Sequence, residues 1–282
     1  MANQHYGRIG DVWKHLPLAE ILAIHRPAEY WESHAGSTRY PLTRSWQRDF
    51  GVFHFLAGSE QSPLLGASRY RQLLSRCAGL YPGSCEIAMR TLGTACNYRL
   101  CDTDLESVRS LAESAFELRI TSARCEQRDG NDALWEELQH LSPRRAEALF
   151  VHVDPWSCLL PSQAHGVTSV DVFRALQRVG ATVMLWFGFD TMVQRHEIVK
   201  QFDNGWLTEI YLDLMKEARP ELNPGVFGCG LYFANLSAKV RDAVECLGEE
   251  LVRVYQSSII APGYSGRLSY QSSAIGMGFG RF

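Results

Sequence analysis

No stretch of the 282-residue chain approaches the roughly 20 consecutive apolar residues that a bilayer-spanning helix requires, so no membrane partner is expected. The opening residues, Met1-Ala2-Asn3-Gln4-His5-Tyr6, lack the apolar core of a secretion signal, and the expected location is cytoplasmic. None of the eight cysteines forms a Cys-x-x-Cys pair and no His cluster completes a zinc pattern. No metal is therefore expected, and the thiols are read as buried and reduced. An excess of positive charge is also missing: 28 Lys and Arg stand against 31 Asp and Glu, a net charge of −3. This excludes the global basic footprint of many nucleic-acid binders. A local patch remains in Arg39, Arg44, Arg48, Arg69, Arg71 and Arg76. Its plain reading is a solvated helical face, with RNA contact as the competing one. Internal repeats and low-complexity blocks are absent.

What is present is ordinary globular material, 46% hydrophobic and 21% charged, in a length suited to one α/β domain with an insertion or to two small domains. Apolar spacing switches repeatedly between periods of 3.6 and 2, the pattern of βα units on a mainly parallel sheet. Asp11 is placed as the cap of a first helix carrying Trp13, Leu16, Ala19 and Ile21, with Pro17 near its first turn. A strand at 29–34 follows, then a less regular stretch, 38–83, that is the candidate insertion. Helices are expected at 84–92, 105–116, 133–141, 170–179, 192–202 and 238–255. Strands are expected at 98–102, 120–125, 148–153, 182–187, 207–212 and 230–234. The division is thus 1–37 for the first helix and strand, 38–83 for the insertion, 84–256 for the rest of the main domain, and 257–282 for a Ser-, Gly- and Tyr-rich tail read as loop.

In an open α/β sheet, ligands bind beyond the carboxyl ends of the strands, so polar residues where strands stop carry the functional information. Asp102, at a second-strand end, can accept from both hydroxyls of a ribose. Asp129 before Gly130 can accept from an adenine amino group while the glycine lets the backbone approach the ring. Asp154, ending the apolar run 148–153, faces the reacting centre, and Trp156 can stack on a planar substrate. Each also has a plainer reading: an Asp there is often a helix cap or turn former, Trp156 can be core, Gly36 can be an ordinary turn, and Lys14-His15 a surface Lys beside a half-buried His.

Several of these segments resemble one family. His5-Tyr6-Gly7-Arg8-Ile9-Gly10-Asp11-Val12-Trp13-Lys14-His15 is similar to the amino-terminal His-x-Gly-x-x-x-Asp-Val-x-Lys-His signature of the RlmJ family, which methylates the N6 amine of an adenine in bacterial large-subunit ribosomal RNA. His34-Ala35-Gly36-Ser37-Thr38-Arg39-Tyr40 resembles its Thr-His-Ala-Gly-x-x-Arg-Tyr motif. Tyr81-Pro82-Gly83-Ser84, Asp102, Asp129-Gly130 and Asp154-Pro155 then follow in the family's order, so the resemblance spans roughly residues 5 to 235. It implies a Rossmann-like class I methyltransferase using S-adenosylmethionine (SAM), with helices on both faces of the sheet and a small helical insertion after the first strand. It assigns cofactor contacts to His15, His34, Ser84, Asp102, Asp129 and Gly130, with Asp154 reaching the target amine. Lys14, Gly36 and Asp154 are counted with the expected cofactor contacts, and Asp154, Pro155 and Trp156 with the expected chemistry.

Three positions depart from the pattern. Asp102 stands where the family has Glu, the residues before His5 include no Tyr to touch RNA, and Asp154-Pro155-Trp156-Ser157 replaces Asp-Pro-Pro-Tyr. The acceptor is accordingly expected to be either RNA or a small molecule bearing a planar amine. Two other readings stand beside it: an enzyme that transforms a metabolite or SAM itself, and a non-catalytic SAM- or RNA-binding module.

Overall fold

The fold was obtained as a computed structural model that describes residues 5–77, 79–212, 227–257 and 268–275. Ten strands are described: β1 (Glu29–Glu32), β2 (Arg39–Pro41), β3 (Leu80–Pro82), β4 (Asn97–Asp102), β5 (Ala123–Gln127), β6 (Leu149–Val153), β7 (Thr182–Phe189), β8 (Gly205–Tyr211), β9 (Gly228–Ala234) and β10 (Ser269–Ile275). Eight of them form one sheet in the order β10-β8-β9-β7-β6-β1-β4-β5, and β2 pairs with β3 separately. β1 runs parallel to both β4 and β6, β4 to β5, and β6 to β7, whereas β9 is antiparallel to β7 and β8. This is the largely parallel sheet that the alternating periods implied, in the Rossmann-like form that the resemblance implied.

The helices, in chain order, are α1 (Ile9–His25), α2 (Trp46–Arg48), α3 (His54–Ser59), α4 (Pro63–Ala67), α5 (Arg69–Arg76), α6 (Ser84–Leu92), α7 (Leu105–Glu117), α8 (Gly130–Leu138), α9 (Pro143–Glu147), α10 (Ser169–Arg178), α11 (Met192–Val199) and α12 (Ala238–Ser257). The period-2 geometry of the strands divides the core between the two faces of the sheet. Tyr30, Phe150, Met184 and Phe233 join α1, α6 and α12 on one face. Trp31, Leu149, Val151, Val183 and Leu185 join α8 and α10 on the other. β6 is buried along its whole length, as its unbroken apolar sequence requires.

Three expectations change. α1 starts at Ile9, so Asp11 lies inside its first turn rather than at the cap, and its carboxylate accepts from the Arg8 backbone N–H at 3.2 Å. Pro17 consequently falls in the helix interior, where it has no N–H to offer the Trp13 carbonyl. The segment from 257 is not all loop: β10 pairs antiparallel with β8 from Ser269 to Ile275. A Ser-rich strand with a mostly exposed face has little hydrophobic alternation to betray it, and it forms because β8 offers an edge.

Of the thiols, Cys77, Cys85, Cys96, Cys101, Cys158 and Cys229 are buried and unpaired, while Cys125 is half-buried and Cys246 exposed. The last two depart from the expected burial because they lie on an edge strand and on the outer side of α12. Among the described residues no helix is long and apolar enough to cross a membrane, and no cluster of His, Cys, Asp and Glu is arranged to hold a metal ion.

Candidate functional site

The strand order reverses at β1: the chain builds outward through β4 and β5 on one side and through β6 and β7 on the other. A crevice must open at such a point, beyond the carboxyl ends of β1, β4 and β6. A cleft of about 360 Å³ lies there, within the size range of small-molecule sites (~300–1,000 Å³). Lys14, His15, His34, Gly36, Ser84, Asp102, Asp154, Pro155 and Trp156 all line it. Asp129 and Gly130 do not. The Asp129 carboxylate caps α8 by accepting from the backbone N–H groups of Asn131 and Asp132, at 2.8 and 3.3 Å. A Cβ on Gly130 would fall 1.8 Å from the Ser33 carbonyl oxygen, so the glycine is what lets α8 abut the end of β1.

The floor of the cleft is a charged cluster. Lys14 Nζ donates to Asp154 Oδ2 at 2.6 Å and lies 3.4 Å from Asp11 Oδ1. Burial works against the Lys14 charge, but Asp154 and Asp11 outweigh it and hold the ammonium pKa above its ordinary value. Burial likewise opposes the Asp154 charge, yet Lys14 and His152 prevail and keep its carboxyl below the usual carboxylate range. Asp154 is therefore ionised, with Oδ2 held by Lys14, and the residue lines the cleft. Asp11 moves the other way: burial and the neighbouring Asp154 raise it despite Lys14.

Beside this floor stands an uncharged wall. His15 Nδ1 lies 2.8 Å from Tyr81 Oη, which lies 3.0 Å from Tyr70 Oη. Burial, then the charges of Lys14 and His152, depress the His15 pKa well below normal, so the ring is neutral. Its Nε2 has no hydrogen-bond partner among the described residues. His34 is also depressed by burial, although Asp154, Asp129, Asp102 and Glu32 act against that.

Beneath the floor, fully buried Glu32 gathers three groups: Tyr30 Oη donates to it at 2.8 Å, His152 Nδ1 lies at 2.8 Å, and the Ser84 hydroxyl donates to the same carboxylate. Ser84 is thus tied to the end of β1. At the β4 end, Asp102 accepts from the backbone N–H groups of Gly36 and Asp104, each at 2.8 Å. A carboxylate has about four acceptor sites, so roughly two remain for a pair of hydroxyls. Gly36 has φ +59°, which lets the chain turn sharply under Asp102. The unused Asp102 acceptors give the cleft a polar group suited to a ligand that bears paired hydroxyls.

Trp156 forms the rim. It is 86% exposed, and its ring lies 5.9 Å from that of His5 in a stacked arrangement. Tyr6 stacks on Tyr40 at 4.7 Å along the same cleft. Sequence reading missed Trp186, which lines the cleft with its ring 5.5 Å from Lys14 Nζ; it lies inside an apolar strand and carried no polar signal. Asp104 and Ser107, at the start of α7, were also missed, and an Asp two residues beyond a strand-end Asp is the only hint of them.

The Arg patch is largely committed within the protein. Arg39 pairs with Glu86 and Glu117, Arg44 with Asp49, and Arg48 donates to the Thr43 carbonyl. Arg69 reaches the Arg90 carbonyl and Arg71 the Ser59 hydroxyl.

With the geometry in place, comparison with known proteins adds the following. No family model matches the chain, and no curated protein matches it. Among solved structures, a Legionella pneumophila protein carrying the family label DUF519 superposes with a TM-score of 0.72 at 18% identity, covering 97% of this chain and 99% of its own. The two share a fold from end to end. A provisionally assigned methyltransferase from Thermobifida fusca matches with a TM-score of 0.43 at 13% identity, over 83% of this chain and 85% of its own. A SAM-dependent methyltransferase from Agrobacterium tumefaciens matches with a TM-score of 0.39 at 10% identity, over 79% and 61%.

Proposed function

We propose that the protein is a SAM-dependent methyltransferase that modifies an amine on a planar substrate. The observation that carries this reading is the Asp154 carboxylate, ionised and oriented by Lys14, in the same switch-point cleft as Asp102. The motif resemblance to the RlmJ family supports it, with adenine N6 as that family's acceptor. Asp102 would accept from the ribose hydroxyls of SAM, and His15, His34, Gly36 and Ser84 would line the remainder of its site. Asp129 and Gly130, also assigned by the resemblance, would act through the α8 terminus that they hold against β1.

Methyl transfer from a sulfonium is an in-line displacement. The amine lone pair forms a bond to the methyl carbon while the carbon–sulfur bond breaks and its electron pair leaves with a neutral sulfide. The protein's task is to hold nitrogen and methyl in near-attack geometry and to exclude water. Asp154 Oδ1 would accept an amine N–H, aim the lone pair, and stabilise the positive charge that grows on nitrogen before its proton is lost. Lys14 keeps that carboxylate from rotating or protonating. Pro155 stiffens the turn and Trp156 supplies a stacking face.

The test is methyl transfer from labelled SAM into a cell extract, with RNA and small-molecule fractions counted separately. Asp154→Ala should abolish incorporation while SAM affinity stays within about tenfold, the span of one lost hydrogen bond to a charged group. An active Asp154→Ala protein would sink the proposal. So would SAM that is bound but never consumed, which marks a binding module, or SAM transformed with no acceptor present, which marks chemistry on SAM itself.

A further inference from the structure

A second cleft of about 340 Å³ shares the wall formed by Pro155, Trp156 and Trp186 with the first. Its remaining lining includes Phe187, Phe189, Asp190 and Gln194, and among the described residues no Lys or Arg faces it. Its mouth lies between the segments that follow β6 and β7, and five of the nine large apolar side chains exposed on the described surface stand there: Trp156, Leu159 and Leu160 on the first loop, Met192 and Val193 at the start of α11. Trp156, Leu160, Met192 and Val193 are each at least half exposed, which single scattered residues would not explain. Nearby cations are already committed: Arg195 makes two hydrogen bonds to the Glu209 carboxylate, at 2.6 and 2.5 Å, and Lys200 pairs with Glu197.

We infer that this second cleft is the acceptor pocket and that it takes a small, phosphate-free aromatic amine with an apolar body. The inference rests on the methyltransferase reading and narrows its acceptor. An RNA acceptor draws most of its affinity from Lys and Arg on phosphates, and here the described lining offers aromatic faces and one carboxylate instead. A flat amine seated between Trp156 and the β7 aromatics would present its nitrogen past Pro155 to Asp154. Gln194 supplies the polar group that orients it, and the apolar rim desolvates its body. Trp156, one position earlier than the aromatic of Asp-Pro-Pro-Tyr, belongs to this partition between two clefts.

The experiment uses the full chain at 150 mM salt, with 2-naphthylamine and a single-stranded decaadenylate as probes and SAM binding measured in parallel by calorimetry. Naphthylamine should bind more tightly than the oligonucleotide. Trp156→Ala and Gln194→Ala should each weaken it by about tenfold, the worth of an aromatic face or of a hydrogen bond in the lining, while Gln194→Ala, outside the first cleft, changes SAM affinity less than about twofold. Both positions are exposed, and circular dichroism checks that the variants fold. Amine binding that ignores both substitutions overturns the inference, as does salt-sensitive oligonucleotide binding tighter than that of the amine. Failure to bind SAM in the wild-type chain strikes the methyltransferase reading instead, and the amine titration still reports on the cleft.

Discussion

Lys14 and His15 are adjacent on one buried helix, yet their surroundings push them to opposite electrical states. About 100° of helical rotation separates them, enough to send one side chain toward strand-end carboxylates and the other toward phenols. Lys14 meets Asp154 and Asp11 and keeps its charge; His15 meets Tyr81 and Tyr70 and loses its own. The difference shows how the site is built. Lys14, with His152 behind it, holds the Asp154 carboxylate ionised, while the His15 ring beside them stays neutral.

The contrast predicts a descending series of effects. Lys14→Met removes the hydrogen-bonded cation that two buried carboxylates share and should cost about 3–5 kcal/mol of stability, read from urea unfolding at pH 7. It should also raise the Asp154 pKa, moving the acid limb of any pH–rate profile upward; an unchanged limb would mean that Lys14 does not control Asp154. Asp154→Asn preserves shape but removes the charge. Transfer should slow by about 100- to 10,000-fold, as for other positioned acid–base groups, measured under saturating SAM.

Acidification probes the neutral wall. The folded state disfavours protonation of His15, His34 and His54, all depressed first by burial, and His54 to about 4. The unfolded chain takes up those protons near its ordinary value of 6.5. Their contribution to stability is therefore complete above about pH 6.5 and declines as pH falls toward 4. Thermal melts across that window should show a monotonic fall, and a flat profile would contradict the burial argument. Tyr81→Phe should have the smallest effect. It breaks the hydroxyl link between His15 and Tyr70 at a cost of about 1–3 kcal/mol, leaving the charge on Lys14 untouched. A change in the Asp154-dependent pH limb in this variant would show that floor and wall are coupled.

Local pattern made the central βα units legible. β6 stood out because a strand buried on both faces must be apolar throughout, and Asp154 stood out because that run stops on a charge. Nine of the eleven residues singled out as site candidates line one cleft, since strand ends on a parallel sheet share an edge. Asp129 and Gly130 sit apart from it, one occupied as a helix cap and the other pressed against Ser33, an arrangement that Asp-Gly spacing does not specify. β10 was missed because its partner, not its composition, makes it a strand. Trp186 and His152 were missed because inside a strand an aromatic or a lone His looks like core until a neighbouring strand or helix faces it.

By itself, then, the sequence determined the alternation of strands and helices, the apolar faces that bury the sheet, and which polar residues end each strand, because those depend on spacing over a few residues. Tertiary structure alone decided that Lys14 meets Asp154 across 140 positions, that Glu32 collects His152 and Ser84, and that Trp156 divides two clefts. Such pairings depend on strand order and helix docking, and the free energy of a buried charge depends on what those place within a few ångströms of it.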